Sequence, residues 1–106
     1  MDDRRYSYAF VRRDIPVSAQ IVQVGHACFE AGNKFPQPAN DTTYLVVLQV
    51  PDQEALLVAV ERIQAQGIDV AVFYEPDYDM GYTAVCTQPV DGRYRNVFWK
   101  YNLWKY

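Results

Sequence analysis

A chain of 106 residues, half of them apolar and 15% aromatic, is long enough for a single hydrophobic core and too apolar for intrinsic disorder. No stretch approaches the ~18 consecutive apolar residues of a membrane span, and the opening MDDRRYSYAF is too polar for a secretory leader. The sequence therefore reads as one soluble cytoplasmic domain over residues 1–106, with a net charge of −3 that argues against a general nucleic-acid-gripping protein.

YSYAFVRR (residues 6–13) is rich in aromatic and β-branched residues and predicts a first strand, closed by Asp14 and Pro16. Pro16 suits a helix start, where its missing N–H would be unpaired anyway. From Ile15 onward Ala19, Val22, His26 and Phe29 fall on one helical stripe, with Ile21, Val24 and Cys28 beside it, and Gly32 and Asn33 are the expected stop. Residues 33–42, with two prolines, read as a loop. TYLVVLQV (43–50) is the nearly continuous apolar run expected of a central strand covered on both faces. Pro51 stops it, and Asp52 is an N-cap for a helix over 53–66, whose stripe is Leu56, Val60 and Ile63, with Gly67 as its stop. IDVAVFY (68–74) predicts a third strand, EPDYDMG (75–81) a loop, and YTAVCTQ (82–88) a fourth strand before Pro89. This β-α-β-α-β-β order predicts helices over a small mixed sheet, the first three strands parallel through right-handed crossovers and the fourth antiparallel.

Charge is segregated along the chain. The tail, residues 92–106, carries Arg93, Arg95, Lys100 and Lys105 without an acid, whereas in residues 14–91 only Lys34 and Arg62 oppose the carboxylates. Aromatics interleave with the tail cations, a pattern that could stack bases and bind phosphates but that reads first as aromatics capping the core or a dimer contact while the cations stay wet. Cys28 and Cys86 have no metal-ligand spacing and sit in apolar runs, as buried free thiols do. Glu75, Asp77 and Asp79 alternate as in a Mg²⁺ or Ca²⁺ loop, but they lack a full calcium-loop pattern, and a solvated acidic turn accounts for them.

Three short motifs point to a family. Val11, Arg12 and Asp14 match V-R-x-D at the end of a first strand. Gln23, His26 and Ala27 match Q-x-x-H-A in the following helix. Thr83 and Pro89, six apart, match T-V-x-x-x-x-P in the last strand. In this the chain resembles the type II peptidyl-tRNA hydrolases over most of residues 6–89. The resemblance implies a three-layer α/β/α sandwich on a four-stranded mixed β-sheet, often dimeric, with tRNA or peptidyl-tRNA as partner and no cofactor. Two departures stand out. The helix lysine of the family falls on Ala19, with Gln20 its nearest polar neighbour, and the family's D-A-G-R-T segment is replaced by the shorter EPDYDMG, so that Glu75 or Asp77 takes the aspartate's place.

Hydrolysis of an ester between peptide and ribose needs a positioned water, a proton acceptor and donors for the oxyanion, with neither metal nor covalent nucleophile required. Glu75 or Asp77 would orient the water and Gln23 and Thr83 would donate hydrogen bonds. His26 shares the helix face of Gln23, where it is either a site residue or core packing. Arg12 or Arg13 would supply the missing cation for substrate. Cys28 is two residues from His26 and so points elsewhere, which excludes a thiol dyad. The alternative is a non-catalytic binding or assembly module on the same fold, with a protein, RNA or small-molecule partner.

Overall fold

β1 (Tyr6–Arg12) is the strand on which the rest is assembled, and its alternation shows how. Tyr8 and Phe10 face one side of the sheet and Ala9 and Val11 the other, all four buried, because successive strand side chains point to opposite faces. In the computed structural model, which describes residues 4–37 and 43–106, β1 pairs in parallel with β2 (Tyr44–Val50), from Tyr6 opposite Tyr44 to Arg12 opposite Val50. On its other side it pairs antiparallel with β4 (Gly81–Thr87), which in turn pairs antiparallel with β3 (Val70–Glu75). The predicted strand directions are thus observed. The predicted loop over 33–42 lies partly outside the described residues.

The strand count is a correction. The sheet has five strands in the order β3-β4-β1-β2-β5, not four, because Asn102–Leu103 of the tail form a short β5 antiparallel to β2 at Leu48 and Gln49. It also displaces the expected centre. β1, flanked by β4 and β2, is the strand covered on both faces, whereas β2 leaves Tyr44 and Leu45 exposed.

Helices cover both faces. α2 (Gln53–Gln64) is capped by Asp52, whose carboxylate accepts from the Ala55 N–H at 2.9 Å, satisfying one of the orphan donors of the first turn. Its buried stripe is Leu56, Ala59, Val60 and Ile63, packed with Tyr8, Phe10, Val85 and Phe98. Fully burying a side chain such as Leu56 or Ile63 is worth roughly 1.5–3 kcal/mol. A short α3 (Arg95–Phe98) in the tail completes this layer: Phe98 stacks on Tyr8 with centroids 3.7 Å apart, and Tyr101 meets Phe10 edge-on at 4.8 Å.

α1 (Val17–Lys34) lies on the other face and differs from its predicted pattern. It runs past Gly32 and Asn33 to Lys34, and its buried positions are Gln20, Gln23, Ala27 and Ala31, while Ile21, Val22 and Phe29 are 62, 53 and 73% exposed. The sheet beneath it presents small residues, namely Ala9, Ala71, Ala84 and Cys86 beside Val11. Alanines on the helix let the backbones approach, and the larger apolar side chains are turned outward.

Candidate functional site

The residues singled out in α1 and β4 meet at an irregularity in the sheet. Phe73 pairs with Ala84 and Tyr74 with Tyr82, so that Thr83 is an extra residue in β4. In an unbroken strand Thr83 would share the face of Val85, away from α1. The bulge re-aims it, as bulges do beside binding sites, and its Oγ1 donates to Gln23 Oε1 at 2.7 Å. Both residues are buried, at 0 and 2% exposure. The Gln23 Nε2 donates to nothing among the described residues, yet no fully buried side-chain nitrogen or oxygen there lacks a partner, so this amide N–H₂ touches solvent. It is the donor the pair has left to offer.

His26, one helical turn on, is half-buried and lies flat on the Phe73 ring, with centroids 4.5 Å apart and planes 10° apart. The bulge therefore gathers Thr83, Phe73, Gln23 and His26. No periodicity argument shows a bulge, and this is why the sequence located these residues without revealing how Thr83 reaches across.

The loop that follows β3 is held by two long side chains. Arg12 forks onto Asp14, Nε to Oδ1 at 2.6 Å and Nη2 to Oδ2 at 2.8 Å, and its Nη1 donates to the carbonyls of Met80 and Tyr82 at 2.6 and 3.3 Å. The hydrogen-bonded pair holds the Asp14 carboxyl below its usual range and raises Arg12 further. From the other side Gln53 Oε1 accepts the Tyr82 N–H at 2.7 Å. Gly81 has φ +73°, which favours glycine, and a Cβ there would displace that same Gln53 oxygen from the Tyr82 N–H. Between these anchors Tyr78 and Asp79 both adopt φ 55°, a costly conformation for a bulky side chain and one found where surrounding structure imposes it. Glu75 is half-buried and Asp77 exposed, and no hydrogen bond or ion pair joins either side chain to Gln23, Thr83 or Arg12 among the described residues. There too, no three His, Cys, Asp or Glu side chains gather as a metal-binding group.

Arg13 is engaged elsewhere. Its Nη1 donates to the Lys105 carbonyl at 2.6 Å and its guanidinium lies 5.6 Å from the centre of the Trp104 ring. Gln20, buried at 2% exposure, completes this clasp: its Oε1 accepts from Trp104 Nε1 at 2.7 Å, and its Nε2 donates to the Ile15 carbonyl at 2.7 Å. The signal for this clasp was available, since Gln20 and Gln23 are three apart and so share a helix face, and a buried polar side chain needs a partner. Cys28 and Cys86 lie between α1 and the sheet, where Cys86 Sγ donates to the Thr87 carbonyl at 3.7 Å; the neighbouring Cys28 thiol and burial push Cys86 upward, and the interaction between the two thiols lowers Cys28.

No family model and no curated protein matches the sequence. A solved structure does match: that of Atu0240, a protein of unknown function from Agrobacterium tumefaciens strain C58, is 15% identical and superposes with a TM-score of 0.64, over 99% of this chain and 100% of that one. At that identity the likeness concerns the fold. This chain itself has an α/β architecture on one five-stranded mixed sheet, and no helix of its described residues is long and apolar enough to cross a membrane.

Proposed function

We propose that this chain is a peptidyl-tRNA hydrolase-like protein that hydrolyses the ester between a peptide and tRNA by water activation without a metal. The observation that carries the reading is the β4 bulge, which turns Thr83 from the opposite face onto Gln23 beside a half-buried His26. In this reading Thr83 fixes the Gln23 amide and the free Nε2 donates to the developing oxyanion. The carboxylate of Glu75 or Asp77 orients the water, and Arg12 acts by holding the loop between them in place. The test is release of the acyl group from an N-acetylaminoacyl-tRNA. Release that falls at least tenfold in Gln23→Ala and in Asp77→Ala, and is unchanged in Cys28→Ala, supports the reading. No release at protein levels where an authentic type II enzyme is active overturns it.

A second reading, a non-catalytic binding or assembly module on this fold, is favoured by a different observation. Ala19 stands where the family has its lysine, both candidate arginines are already engaged, and Ile21, Val22 and Phe29 leave the outer side of α1 apolar and exposed. As an assembly the chain would sediment as a dimer or larger species that Phe29→Glu dissociates, with or without Asp77.

A further inference from the structure

The other face of the molecule has a feature that ester hydrolysis at the bulge leaves unused. Between the last turn of α2 and the tail lies a cleft of about 580 Å³, lined by Arg62 and Gln66 on one side and Arg93, Asn96, Trp99 and Lys100 on the other, with Tyr94, Val97 and Tyr101 also contributing. Every charged residue lining it is a cation, in a chain whose net charge is −3. The three cations are not equivalent. Arg93 is neutralised by Asp91, with Nη2 to Oδ2 at 2.9 Å. Among the described residues Arg62 has no carboxylate partner and the ammonium of Lys100 has only the Tyr101 ring, 5.5 Å from its centroid. Beside them Trp99 is 74% exposed, although Phe98 next to it is buried to 3%. An indole left in water beside two unpaired cations and two side-chain amides is a flat apolar surface with adjacent anion and hydrogen-bond partners.

We propose that this cleft binds a nucleotide, with its phosphates held by Arg62 and Lys100 and its base stacked on Trp99. Guanidinium and ammonium groups recognise phosphate through charge-assisted hydrogen bonds, and stacking on an aromatic side chain tolerates any base. Gln66 and Asn96 are the donors and acceptors available to a base edge or ribose. The cleft lies on the sheet face opposite α1, so the site is independent of the hydrolase reading. The same chemistry is offered by a free nucleoside triphosphate and by a nucleotide within a single strand.

The full chain is titrated calorimetrically, at low salt, with ATP, adenosine, inorganic triphosphate and a short single-stranded oligoadenylate. ATP or the oligoadenylate is expected to bind, whichever does identifying the source, with adenosine and triphosphate each weaker by roughly tenfold or more, because each supplies only one half of the contact. Trp99→Ala and the pair Arg62→Ala with Lys100→Ala are each expected to weaken binding by about tenfold or more. All three residues are exposed, so unchanged melting temperatures separate lost contacts from lost folding. Absence of heat with both ligands at about 1 mM, or affinity unchanged in these variants, overturns the proposal. Neither outcome depends on hydrolysis, so it stands or falls apart from the reading at the bulge.

Discussion

Replacing Thr83 by valine keeps the shape of a fully buried side chain and removes one donor. In the wild type Thr83 Oγ1 gives its proton to Gln23 Oε1 at 2.7 Å, and Gln23 is 2% exposed. Thr83→Val leaves that oxygen buried without a partner, at a cost of roughly 1–3 kcal/mol. Unfolding entropy near 2.1 cal/mol/K per residue makes about 0.22 kcal/mol/K for a chain of this length, so a central cost of about 2 kcal/mol lowers the melting temperature by about 9 °C. Gln23→Leu strands the threonine hydroxyl in turn and is expected to cost a similar amount. The double variant removes both partners and is expected to be far less destabilised than the two single effects combined, since apolar replacement of a whole hydrogen-bonded pair approaches neutrality. Thermal and urea unfolding of the four proteins measure the cycle. A Thr83→Val shift below about 2 °C, or a double variant as unstable as additivity requires, would refute the claim that the bulge exists to join these two groups.

Three further predictions follow from the loop and the thiols. Gly81→Ala is expected to destabilise by more than about 1 kcal/mol, because it meets both an unfavourable positive φ and the Gln53 oxygen; Gln53→Ala in the same background should recover only the steric part, as read by urea unfolding. The folded-state pKa of Asp14 is depressed by Arg12, so its stabilisation is present above the unfolded value of about 3.9 and is lost as pH falls through the lower folded value. Because Asp14 itself is exposed, Asp14→Asn is expected to cost no more than about 1 kcal/mol at pH 7, with the gap from wild type closing at acid pH; a gap independent of pH would exclude the ion pair as its cause. Thiol labelling of the native protein is expected to modify Cys28 well before Cys86, which is 2% exposed and pushed upward by its neighbour; equal rates would show that α1 opens from the sheet.

The first strand, the second helix and its cap were legible because each rests on a local signal: the aromatic and β-branched residues of YSYAFVRR, the Pro51–Asp52 break, and a single apolar stripe at Leu56, Val60 and Ile63; strand direction was legible from the order of the elements and the length of their connections. α1 was misread because periodicity registers only apolarity. Its covered face is Gln20, Gln23, Ala27 and Ala31, small or polar residues that pack against a sheet of alanines and find hydrogen-bond partners there, and neither the sheet's side-chain size nor those partners can be read along the helix itself. β5 escaped notice because two residues, Asn102 and Leu103, have no periodicity at all; they are placed by Gln20, Trp104 and Arg13, over 80 residues apart in sequence. Gln23 and Thr83 were found as a pair by motif spacing, but the device that joins them, one extra residue opposite Phe73, appears only when the strands are laid side by side.

The two faces of the sheet divide the molecule's chemistry, and the tail explains why. On the face under α1 the polar groups are turned inward and matched: Thr83 with Gln23, and Trp104 and the Ile15 carbonyl with Gln20. On the α2 face the interior is apolar and aromatic, closed by Phe98 stacked on Tyr8 and Tyr101 edge-on to Phe10, and the tail's remaining polar groups are therefore pushed to the rim. A helix as short as Arg95–Phe98 can bury few side chains, so anchoring Phe98 leaves Trp99 and Lys100 in solvent beside Arg62 as a direct consequence of the turn. The exposure of the indole is thus built into the same residues that close the core. A tail serving only as a lid could carry any small polar side chain at residue 99. Trp99→Ser consequently separates the two roles: the melting temperature is expected to hold within about 2 °C, as for an exposed surface position, while any nucleotide affinity falls. A large loss of stability instead would mean that the indole packs as part of the lid.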